Sequence, residues 1–229
     1  DGVGGVGGRG EVDPSDVPTS GAAGLAHTCA ALPRGDLWCW GSNSFGQLGL
    51  APGPNADLFQ TPLPLKASIS DVEAVFAAAQ QTCATNAAGE LWCWGQNQYG
   101  QLGIGSLGDV AVPTAVPGLT GVTAVEGSGN HTCAIAAGQV WCWGLGLLGA
   151  LGTGSTEQSV LPVVVPVGTA LDIAVTQSST CALLENGTVT CWGMGPPGDG
   201  TAEGGLTPAL VPGITDAVSI AGRYTHLCV

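Results

Sequence analysis

Eight of the nine cysteines fall into four pairs, Cys29/Cys39, Cys83/Cys93, Cys133/Cys142 and Cys181/Cys191, and the leading cysteines are separated by 54, 50 and 48 residues. The ninth, Cys228, follows 47 residues after Cys181 and continues the series. A near-constant period of this size marks propeller blades, solenoid turns or arrays. Within each pair the spacing is 9 or 10 positions, with turn formers between: Arg34-Gly35-Asp36, Ala88-Gly89, Ala137-Gly138 and Asn186-Gly187. Asn-Gly between alternating apolar residues is a strong hairpin signal. Folding at these turns sets the two cysteines opposite one another on antiparallel strands, about 4.5–5.5 Å apart between Cα atoms, and a disulfide spans that gap. A bridge closing so short a loop stabilises by roughly 2–3 kcal/mol. Buried reduced thiols are the competing state. A zinc site would need cysteines two to four residues apart, and no C-x-x-C occurs. Disulfides imply an oxidising compartment, hence an extracellular or cell-surface protein. Cys228 occupies the leading slot of a repeat whose returning strand is absent, so either the chain is a fragment or the thiol pairs with another chain.

The stretches around each pair parse alike. An apolar segment comes first (Val72 to Ala79, Val122 to Gly127, Ala217 to Gly222), then the cysteine strand, the turn and a returning Trp-Cys-Trp-Gly strand. A Gly-rich loop leads to a Pro-containing apolar stretch: Thr61 to Leu65, Pro113 to Val116, Leu161 to Val167 and Thr207 to Val211. Proline suits an edge strand, where no ladder donor is needed. Four short antiparallel strands per repeat make one propeller blade. The expected fold is therefore all-β: four four-stranded blades at about 15–67, 68–117, 118–167 and 168–213, and the start of a fifth at 214–229. The Gly-rich residues 1–14 read as a flexible arm, with the alternative that they lie along a neighbouring subunit. Gly and Pro total 39 and 15, which without periodicity would suggest disorder, but 45% of residues are hydrophobic and only 9% charged.

The hairpins run on into WGSNSFGQLGL from Trp40 and WGQNQYGQLGIG from Trp94, and Gly127-Ser128-Gly129-Asn130-His131-Thr132 precedes the third cysteine strand. These stretches resemble the RCC1 repeat, whose hallmark is WGxNxxGQLGxG after a strand preceded by G-x-x-H-[ST]. The resemblance runs from about residue 15 to 229. It implies a propeller of about seven blades around a channel, closed only by more chain or by a partner. The cysteines point to a secreted, disulfide-bearing bacterial branch. Repeats three and four depart from the pattern, with WGLGLLGALGTG from Trp143 and WGMGPPGDGT from Trp192, which argues against one ligand site shared by every blade. Trp40, Trp94, Trp143 and Trp192, each followed by Gly41, Gly95, Gly144 or Gly193, form the expected structural core of the repeat.

No residue pattern carries catalysis. Trp38/Trp40, Trp92/Trp94 and Trp141/Trp143 alternate with cysteine, so each tryptophan pair shares a face opposite the cysteine and packs between blades; a ligand platform is the sharper alternative. His27, His131 and His226 occupy one slot, filled elsewhere by Gln81 and Ser179, and a structural hydrogen bond is their expected role. No triad, G-x-S-x-G, H-E-x-x-H or phosphate-cradling loop is present. Asp57, Asp109, Glu157, Asp199 and Glu203 lie in loops without Ca²⁺-site spacing and read as solvated charge. No metal, cofactor or enzyme activity is expected.

A net charge of −13, with four basic residues, excludes nucleic acid and anionic membranes as natural partners. No apolar run reaches the 18 or more residues of a membrane span. The expected function is a non-enzymatic scaffold that binds a protein partner or itself. One alternative is a secreted inhibitor of an extracellular enzyme; the family includes β-lactamase inhibitors, and Phe45, Tyr99 and Phe59 are the loop aromatics available. A remoter one is guanine-nucleotide exchange, the activity of the nuclear namesake.

Overall fold

The computed structural model describes residues 16–53, 55, 57–194, 204–223 and 225–229. The arm at 1–14, Asp199, Glu203 and the start of the last segment at Tyr224 lie outside the described residues. Four antiparallel sheets follow one another along the chain. The first contains β1 (Ser20–Ala23), β2 (His27–Ala31), β3 (Leu37–Ser42) and β4 (Gln60–Lys66). The second contains β5 (Ala74–Ala78), β6 (Gln81–Thr85), β7 (Leu91–Gly95) and β8 (Val110–Ala115). The third contains β9 (Val122–Gly127), β10 (His131–Ala136), β11 (Gln139–Gly144) and β12 (Ser159–Val164). The fourth contains β13 (Ala170–Val175), β14 (Ser179–Leu184), β15 (Val189–Gly193) and β16 (Gly205–Leu210). A two-stranded ribbon, β17 (Ala221–Arg223) and β18 (His226–Cys228), opens a fifth. One 3-10 turn, Leu147–Gly149, is the only helical element among the described residues.

Each sheet is a meander in which consecutive strands pair, so every sheet is one blade. Cys29 faces Cys39, Cys83 faces Cys93, Cys133 faces Cys142 and Cys181 faces Cys191. All four pairs are disulfide-bonded, with Cα atoms 4.1 Å apart. The prolines Pro62, Pro64, Pro113, Pro162 and Pro208 sit on the outermost strands, where an absent N–H breaks no ladder.

Alternation along the strands decides how the blades stack. Cystine and tryptophan point to opposite faces, and in blades two to four both faces are covered by neighbours. The first interface packs Cys29, Cys39 and Leu37 of blade one against Val75, Ala84 and Trp94 of blade two. The second packs Cys83, Cys93 and Leu91 against Val125, Ala134 and Trp143, and the third packs Cys133, Cys142 and Ile135 against Ile173, Ala182 and Trp192. Each cystine thus faces the next blade and each tryptophan the previous one. Trp94, Trp143 and Trp192 are fully buried, while Trp40, with no preceding blade among the described residues, is only half-buried.

The glycine after each of these tryptophans has a steric cause. Gly41, Gly95, Gly144 and Gly193 take φ between +98° and +106°, and each marks a shift in the register with the outer strand. In the third blade the carbonyl of Asn130 accepts the N–H of Leu145 at 2.9 Å directly over Gly144. A Cβ on Gly144 would lie 2.6 Å from that oxygen, so no larger residue fits.

Candidate functional site at the channel mouth

What positions the site is a hydrogen-bonded latch repeated at each interface. The main-chain carbonyl of Gln47 accepts both Thr82 Oγ1 at 2.8 Å and Trp94 Nε1 at 3.0 Å from blade two. Gln101 does the same for Thr132 Oγ1 and Trp143 Nε1, each at 2.8 Å. Ala150 repeats it for Thr180 Oγ1 at 3.3 Å and Trp192 Nε1 at 3.0 Å. The threonine is bonded a second time from behind: His27 Nε2 lies 2.8 Å from Thr82, Gln81 Nε2 2.7 Å from Thr132, and His131 Nε2 3.0 Å from Thr180. Each hydroxyl proton already goes to a carbonyl, so the hydroxyl accepts from the imidazole and both histidines carry their proton on Nε2. His226, in the same slot on β18, is exposed.

The loops that aim these carbonyls explain the Asn and Gln of the repeat. Asn43 Oδ1 accepts Leu48 N–H and Asn97 Oδ1 accepts Leu102 N–H, both at 3.0 Å. Gln47 Oε1 and Gln101 Oε1 accept the N–H of Phe45 and Tyr99, both at 2.9 Å. Blade three lacks both residues, and there the 3-10 turn, with Leu148 at φ 62°, presents Ala150 instead. The latch survives the loss of the motif because its acceptor is backbone.

Burial pushes His27 and His131 down to about 4, so both are neutral at pH 7. His131 Nδ1 faces Ser128 Oγ at 3.2 Å. His27 Nδ1 is buried without a partner, because Gly24 holds the position of Ser128.

The inner strands β5, β9 and β13 and the turns beside them, with the β1–β2 turn, border an open cavity of about 640 Å³. Part of its wall is small, with Ala77, Ala78, Gly127, Gly129 and Gly222, and Leu25, Val175 and Thr176 also stand in the lining. Its rim is amide. Gln80 stands in the β5–β6 turn, Asn130 in the β9–β10 turn and Gln177 in the β13–β14 turn; Gln96 and Gln98 come from the β7–β8 loop. None of these five carboxamides has a hydrogen-bond partner among the described residues. Tyr99 stands beside them, 38% exposed. Glu126, on β9, is the one charged side chain among the described residues lining the mouth, and it also lines a smaller cavity that shares Ala77, Ala78 and Gly127 with it. Desolvation among the inner strands, and secondly the Asp172 carboxylate, push Glu126 up to about 7. Glu126 is nevertheless exposed on the surface of β9, so solvent screening discounts much of this shift.

The residues singled out from the sequence do not form this mouth. The cystines and the Trp94, Trp143 and Trp192 indoles are buried between blades, and Asp57, Asp109 and Glu157 lie in the loops before the outer strands. Asp109 has a structural role, accepting Asn97 N–H at 2.9 Å. Cys228 is a free, exposed thiol. The rim amides escaped sequence reasoning because Gln and Asn in turns are ordinary. The signal was their position, within two residues ahead of the His/Gln/Ser slot in three successive repeats.

Residues 34–85, 88–135 and 137–183 match the model described as Regulator of chromosome condensation (RCC1) repeat, and a second model of that description matches 19–47. The ultraviolet-B receptor UVR8 of Arabidopsis thaliana is 37% identical over 116 residues, which cover 49% of this chain and 26% of that relative. Prp20p from Saccharomyces cerevisiae superposes with a TM-score of 0.80 at 16% identity, over 94% of this chain and 56% of that one. Human WBSCR16 superposes with a TM-score of 0.78 at 24% identity, over 90% and 57%. At these identities the structural likeness is one of fold, and the chain spans little more than half of either solved propeller.

Proposed function

Because this chain belongs to the RCC1 repeat family, we propose that it is a non-enzymatic, exported interaction scaffold that receives a protein partner at the channel mouth. One observation carries this reading. Five unengaged carboxamides converge on one cavity, held by blades that the carbonyl latch locks together. A carboxamide offers a donor and an acceptor in one plane and matches a peptide group. The latched blades fix the backbones that carry these amides, so binding has to order side chains but not loops. The yeast fold neighbour Prp20p is studied for binding to Gsp1p and histones, which fits a propeller face used for protein recognition. Four cystines support export to an oxidising compartment.

The test is hydrogen-exchange footprinting of the chain bound to a partner captured from the surrounding medium. Protection is expected at Gln80, Gln98, Asn130 and Gln177, with the outer strands unchanged. A Gln98→Ala/Gln177→Ala variant should lose capture by at least tenfold while keeping its melting temperature. Protection confined to the outer strands would overturn the reading.

A further inference from the structure

We propose that the partner segment inserts a lysine or arginine side chain into the channel mouth, its cationic head meeting the Glu126 carboxylate while the rim amides bond the flanking peptide groups. This rests on the channel-mouth reading above and adds the chemistry of what enters.

Four features point to it. Ala77, Ala78, Gly127, Gly129 and Gly222 leave part of the wall without bulk, and Leu25 and Val175 add apolar surface, so the mouth admits a slender apolar stem. A Lys or Arg side chain is such a stem with a charged tip. Glu126 lines both the mouth and the smaller cavity, and no hydrogen-bond donor reaches its carboxylate among the described residues. A cation brought to this unpartnered carboxylate favours its ionised form and offsets the nearby Asp172 charge. The chain as a whole carries −13 with only four basic residues, which steers basic partners toward it and leaves few internal cations to compete. A neutral glycan would also find the amides but would have no use for the carboxylate.

The probe is the pentapeptide acetyl-Gly-Ser-Arg-Ser-Gly-amide, compared with the same peptide carrying citrulline, the neutral isostere of arginine. Binding to the whole, oxidised chain at pH 8 is followed by backbone NMR. The arginine peptide should shift the signals of Gln80, Asn130 and Gln177, with the citrulline peptide at least tenfold weaker. Glu126→Gln should erase that difference, and Glu157→Gln, which removes an exposed charge away from the mouth, should keep it. On the unmodified chain, a ¹³C-carboxyl titration should show the Glu126 midpoint falling when the arginine peptide is present. Equal binding of the two peptides at the mouth would overturn the cation while leaving the mouth as the docking face. Shifts elsewhere, or none, would overturn both. Equal loss in the two glutamine variants would reduce the attraction to net charge. A neutral oligosaccharide that shifts the mouth where the peptides do not would replace peptide with glycan.

Discussion

His27 and His131 pay for their burial in proton affinity. In the folded chain both lie near 4, against 6.5 in the unfolded chain, so the unfolded state binds protons more tightly between those values. Their contribution to stability is therefore complete above pH 6.5 and is lost as pH falls toward 4. A shift of this size corresponds to about 3 kcal/mol for each residue at most. Glu126 acts in the opposite sense: raised to about 7, its contribution is present below its unfolded value and is lost as pH rises through 7. Its access to solvent makes it the smaller effect, so the melting temperature should fall between pH 7 and pH 4. His131→Gln should flatten that fall by about half, because Gln81 already serves the same slot and donates to Thr132. Thermal melts at half-unit pH steps check this, and an unchanged slope would refute it. The shared slot of His27, Gln81 and His131 was legible in the sequence. Its partner was not, because the threonine each residue meets lies about 50 positions away, on the next blade.

The hairpin with its cystine was the most legible element, because turn chemistry and a spacing of 9 or 10 act locally. Burial was less so. Trp40 and Trp143 sit in the same motif, yet one is half-buried and the other sealed, and only Trp143 has a preceding blade against it among the described residues. Trp143→Phe should cost about 1–2 kcal/mol through the hydrogen bond lost to Gln101 and the poorer fit, and Trp40→Phe about 0.5 kcal/mol or less. Two glycines separate backbone strain from collision. Gly118→Ala meets nothing within 4 Å and should cost only the left-handed penalty of about 1 kcal/mol. Gly144→Ala meets the Asn130 carbonyl as well and should cost at least about 2 kcal/mol. Urea titrations of the four variants order these effects, and equal costs at the two glycines would contradict the steric account.

Among the described residues the apolar clusters join successive blades, so stability accumulates along the row as unit and interface contributions. Each cystine lies within a single blade, and reducing all four should lower stability by about 2 kcal/mol or more per bridge, read as a shift in urea midpoint with and without a phosphine reductant. The period and strand order made this architecture readable in advance. The channel mouth was not readable, since it exists only where turns of separate repeats meet around an axis. The latch between blades has a further consequence, for ancestry. Its acceptor is a carbonyl, which every amino acid owns, and blade three makes the joint with Ala150 where its neighbour uses Gln101. A gene that duplicates or loses one such unit therefore needs no matching substitution next door. Copy number can drift while the joints stay sound, and the turns around the axis are free to diverge from unit to unit.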